Sequence, residues 1–183
     1  MASKIKVDTL ETANGSGTIA LSNQLSGMTT ASLPALGSAQ MPTGSVIQVI
    51  NAVTTTQDTT SSAVPNWVAT GITATITPTS TSSDIYISVS TSGNLNNTAG
   101  VKLFYTLYRD TTNLGGTSTG MGGIRALGGA NIRGSISPNY LDSPATTSPV
   151  TYTLYFATNG SATVEISSQA GEARSITLME IQG

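Results

Sequence analysis

The chain has 183 residues, a formal net charge of −2, no Cys and no His. Lacking Cys, it has no disulfide framework, zinc–thiolate site or iron–sulfur centre. Lacking His, it is without the commonest general base and transition-metal ligand at neutral pH. Only 7 Lys and Arg stand against 9 Asp and Glu, which argues against nucleic acid and anionic membranes as partners, since both need clustered cations. With 31 Thr and 24 Ser, the expectation is a neutral, hydroxyl-rich, non-enzymatic protein that needs no cofactor or metal.

The opening MASKIKVDTLE has no apolar run of signal-peptide length, and no later stretch approaches a membrane span. The expectation is synthesis in a host cytoplasm and release by lysis. Residues 1–43 carry scattered apolar side chains, among them Ile5, Val7, Leu10, Ile19, Leu21 and Leu25. They are too sparse for a core of their own, so the segment is read as an attachment and oligomerisation arm. Lys4, Lys6, Asp8 and Glu11 alternate with its first apolar residues and would form the charged rim of an anchor strand. Asn14-Gly15 fits a tight turn. Pro34, Gly37, Pro42 and Gly44 then mark a linker to a second region, 44–183.

From residue 45 a two-residue period takes over. The nearly continuous apolar run SVIQVINAV (45–53) suits a strand buried on both faces or at an interface. Alternation predicts further strands at 72–79, 84–90, 102–110, 150–158, 162–168 and 175–181. In 102–110, Leu103, Tyr105 and Leu107 lie opposite Phe104, Thr106 and Tyr108. A polar bend covers Pro78 to Ser83, a loop covers Asn94 to Gly100, and Asn159-Gly160 reads as a hairpin turn. The Gly-rich stretch 111–138 has no phosphate-loop spacing; it fits either close backbone approach or a surface loop. Short strands with regular turns and no helical period give an all-β fold, an antiparallel β-sandwich or jelly roll.

The opening SKIKVDTLETANGSGTIALSNQLSGMT (3–29), with the closing Tyr140-Leu141-Asp142-Ser143-Pro144, Val150–Tyr155 and Ser175–Ile181 stretches, resembles small structural proteins of marine bacteriophages, cyanophages included. The resemblance implies a homotrimeric fibre, spike or decoration protein on a virion. Its N-terminal arm would attach to other virion proteins and its C-terminal jelly roll would face outward. A capsid cement protein and a receptor-binding adhesin for host glycans are the competing expectations.

Individual residues add little chemistry. Asp84 and Asp110 flank strands as turn residues, and Glu165 and Glu180 are read on the outward phase of theirs. Asp142 is expected to fix a turn before Pro144, with Arg133 or Arg109 as a conceivable partner. Trp67, the single Trp, either closes one end of the sandwich or stacks on a sugar ring. Tyr140 is the better exposed candidate for ligand contact.

Overall fold

The computed structural model describes residues 37, 41–95, 99–128, 131–160, 162–167 and 169–183. All belong to one compact unit, Gly37–Gly183. The predicted arm residues Ile5, Val7, Leu10, Ile19, Leu21 and Leu25, and the Asn14-Gly15 turn, lie outside the described residues.

The regular elements of the described residues are all strands, in order β1 (Val46–Thr54), β2 (Asp58–Thr60), β3 (Val68–Ile76), β4 (Asp84–Leu95), β5 (Lys102–Arg109), β6 (Thr112–Asn113), β7 (Gly122–Arg125), β8 (Ile132–Ile136), β9 (Asn139–Asp142), β10 (Val150–Thr158), β11 (Val164–Ile166) and β12 (Arg174–Ile181). They form two antiparallel sheets. In the first, the long β4 is flanked on one side by β12 and then β11, and on the other by β9 and then β8. β1 pairs outside β12, and β2 outside β11. In the second, β10 lies between β3 and β5, whose far edge pairs with β6 and β7 in turn.

Several short strands are therefore pieces of longer ones. β8 and β9 are one strand broken at Ser137-Pro138, because Pro cannot donate to the ladder; its carbonyl instead accepts from the Val89 N–H at 3.1 Å. Joining such pieces leaves two facing sheets, β1/β2–β11/β12–β4–β8/β9 and β3–β10–β5–β6/β7. That order of eight composite strands is a jelly roll, as the sequence predicts.

The core lies between the sheets. Ile72 and Ile76 of β3, Ile85 and Ile87 of β4, Leu103 and Leu107 of β5, Tyr152, Leu154 and Phe156 of β10, and Ile176 and Leu178 of β12 are all buried. Each sits on the inward phase of a two-residue alternation, and burying an aliphatic side chain of this size stabilises by about 1.5–3 kcal/mol.

Three sequence expectations are corrected here. Asn159-Gly160 does not close a hairpin: β10 pairs with β3 and β5, whereas β11 pairs with β2 and β4. The turn, with Gly160 at φ +83°, carries the chain from one sheet to the other. Asn159 then ties this corner to the next, accepting from the Lys102 N–H at 3.1 Å and donating to the Gly100 carbonyl at 3.1 Å. Asn94 belongs to β4 and is buried, rather than opening a loop. β1, finally, is an edge strand with one face outward, so of the two settings expected for its apolar run, burial on both faces is the one not found among the described residues.

Candidate interaction surfaces

The carboxylates show what polar groups do inside this sandwich. Glu180 follows Ile176 and Leu178 on the inward phase of β12 and is fully buried, not outward as its sequence suggests. Its carboxylate accepts from the Gln48 amide at 2.6 Å and from the Thr79 N–H and hydroxyl, each at 2.7 Å. Burial alone would raise its pKa, but the hydrogen bonds, with the Ser83 hydroxyl beside them, hold it below the ordinary 4.5. Glu165 keeps the outward phase, accepting from Asn94 at 2.7 Å and Gln57 at 3.3 Å.

Asp142 at the end of β9 is buried and bound twice over. Arg109 reaches both of its oxygens at 3.0 Å, and the Tyr152 hydroxyl donates to Oδ2 at 2.6 Å. Burial and the neighbouring Asp142 push the Tyr152 hydroxyl well above its ordinary 10, so it stays a donor. Of the two partners conceivable from sequence, Arg109 is the one that pairs. A second ion pair, missed in the sequence, joins the buried Arg174 of β12 to Asp58 of β2 at 2.8 Å. These groups fasten strands to one another, and each carboxylate is consumed by donors of its own.

The outer faces of the two sheets differ in character. On the first sheet, register places Val49 of β1 beside Met179 of β12, Met179 beside Tyr86 of β4, and Tyr86 beside Leu141 of β9. Val46 beside Ile181 extends this row. Val46, Val49, Val53 and Leu141 are the exposed large apolar residues of the face, at 48%, 53%, 62% and 56%. The row ends at β1, whose sequence VIQVINAVT contains no charge and no proline. Edge strands are usually protected by exactly those residues.

The outer face of the second sheet is aromatic and hydroxylated. Tyr108 and Tyr155 stack with ring centroids 4.0 Å apart. Threonine hydroxyls pair across β3 and β10, Thr73 with Thr153 and Thr75 with Thr151, both at 2.8 Å. Phe104 continues the aromatic strip along β5. Beside it a cavity of about 290 Å³ opens between β5 and the Gly-rich segment, lined by residues 102–104 and 119–125.

The glycines explain this cavity. Gly123 lies opposite Phe104, so no side chain covers the ring on that strand, and a Cβ there would strike the Leu103 carbonyl. Gly120, at φ +62°, lets the 116–120 turn close with hydrogen bonds in both directions between Gly116 and Gly120, at 3.2 and 2.8 Å. Trp67 braces that turn, its ring packed on Gly120 and its indole N–H donating to the Thr117 carbonyl at 3.0 Å. Half-buried Trp67 thus backs the loop that forms the cavity rather than presenting a free ring. Tyr140 is half-buried as well; it lies opposite Ile87 on the inward phase and packs against the buried core. The structure does not bring these two candidates together. Sequence alternation already places Phe104 and Tyr108 on one face of β5, but nothing in it announces Arg125 opposite Lys102.

No protein-family model and no curated protein matches the chain. Among solved structures it is similar to the VP2 subviral particle of infectious bursal disease virus, with a TM-score of 0.38 and 16% identity over 74% of this chain and 33% of that one. The viral particle of the same virus gives a TM-score of 0.38 and 12% identity over 82% and 40%. The chain thus spans a third to two fifths of the length of these structures.

Proposed function

We propose that this chain is a virion structural protein, a homotrimeric fibre or spike that assembles through an apolar row on the outer face of its first sheet and displays the second sheet outward. The observation that carries the reading is the uncharged row Val49, Met179, Tyr86 and Leu141, ending at an unprotected edge strand. A face of that kind gains more from burial against protein than from water. The proposed occupant is a second copy of the chain. The four residues of the row bear no charge that would need an opposite one, and β1 follows the predicted oligomerisation arm, residues 1–43, after only Gly44 and Ser45. The resemblance of both chain ends to phage structural proteins supports the virion setting and the arm as attachment point. No catalytic role is assigned, since each buried carboxylate described above is held by its own donors.

Light scattering of the purified full chain tests the association. The expected mass is that of three chains, and Leu141→Glu should lower it while circular dichroism stays unchanged. A mass of one or two chains for the wild type overturns the trimer. Labelled copies counted on intact particles test the setting: a few at a tail or neck fit a fibre or spike, whereas tens to hundreds at capsid symmetry axes would make it a cement protein instead.

A further inference from the structure

Lys102 and Arg125 stand directly opposite each other across the β5–β7 ladder. Like charges in that position destabilise a sheet, and this chain has few cations to spend. Five of its Lys and Arg lie among the described residues, and two of those, Arg109 and Arg174, are paired with carboxylates. Neither Lys102 nor Arg125 has an acidic partner among the described residues, and no Asp or Glu lines the cavity between them. The Lys102 ammonium instead lies 5.9 Å from the centre of the Phe104 ring, at the outer limit of a cation–π contact. A local conflict with no structural gain marks a place where something else supplies the compensation.

We infer that the cavity between β5 and the 119–125 segment is a binding site for an acidic saccharide, one whose sugar residue carries a carboxylate or sulfate group. The anionic group would sit between Lys102 and Arg125, where a guanidinium offers a two-pronged donor and the ammonium a mobile one. The apolar face of the sugar ring would rest against Phe104, left bare by Gly123. Further units of the chain would run along Tyr155 and Tyr108 toward the paired threonine hydroxyls. A volume of about 290 Å³ is at the low end of small-molecule sites, roughly 300–1,000 Å³, and so suits one sugar residue with its neighbours lying on the open face. The inference rests on the outward display of the second sheet proposed above.

Calorimetric titration of the full chain at low ionic strength with three tetrasaccharides tests it: hyaluronan for the carboxylate, sulfated chondroitin for the sulfate, and maltotetraose as the neutral control. At least one acidic probe should bind ten-fold or more tightly than maltotetraose, weaken with added salt, and lose ten-fold or more in Lys102→Gln and in Arg125→Gln. Whichever acidic probe binds the tighter identifies the anionic group. Equal binding of neutral and acidic probes, binding unaffected by either substitution, or no binding of the acidic probes at millimolar concentration overturns the inference. Arg125 is exposed, so its replacement leaves the fold intact, and Leu141→Glu on the opposite sheet should leave binding unchanged. Light scattering on the same samples separates the outcomes: a trimeric wild type that binds no acidic probe sinks this site alone, whereas a monomeric wild type sinks the assembly.

Discussion

Glu180 is held in its ionised form inside the sandwich by donors from two segments, Gln48 on β1 and Thr79 in the β3–β4 turn. Its folded pKa lies below the ordinary value, so it contributes stability above the unfolded pKa and loses it as pH falls through the lowered folded one. Urea unfolding followed against pH should therefore show stability flat from neutral down to about pH 5 and then declining. Glu180→Gln should flatten that acid limb and lower the neutral-pH stability by about 1.5–3 kcal/mol, the usual range for a hydrogen bond to a charged group. The sequence hides this residue because an acid at a strand end reads as solvated, although its phase with Ile176 and Leu178 points inward. Phase outweighs residue type wherever donors from a neighbouring segment converge.

β10 and β12 match the strands read from sequence almost to the residue, Val150–Thr158 and Arg174–Ile181, because each keeps a two-residue period of inward apolar side chains, Tyr152, Leu154 and Phe156 in the first and Ile176 and Leu178 in the second. β4 runs on past the predicted end at Ser90 to Leu95. Its second half, TSGNL, has loop composition, and Gly93 is present because the Ile136 side chain packs against its backbone. Pairing with β8 and β11 makes those residues a strand, and that is a long-range fact. The Gly-rich stretch behaves likewise: β6, β7 and β8 exist through partners elsewhere in the chain, so neither they nor the cavity beside Phe104 could be read locally. Gly120→Ala is expected to cost about 1–3 kcal/mol of unfolding free energy in urea, since its Cβ would meet both the Tyr105 carbonyl and the Trp67 ring at a positive φ. Gly128→Ala, where nothing lies within 4 Å, should be nearly silent.

At the scale of the molecule, the jelly roll separates an apolar row on one outer face from the aromatic and hydroxylated strip on the other. β1 lies at the end of the apolar row, nine residues long and uncharged, with all three of its valines exposed to water. Val53→Lys should leave unfolding free energy within about 0.5 kcal/mol of wild type, because Val53 is 62% exposed. Its effect should appear instead in how concentrated a solution can become before turning turbid. A strand with no gatekeeper accepts any matching neighbour, the intended copy or the wrong one, and the difference is set by supply. Copies made faster than they find their places would stack edge to edge into thioflavin-binding ribbons, and one lysine at position 53 should delay that growth severalfold. Production of such a subunit therefore has to keep pace with its incorporation.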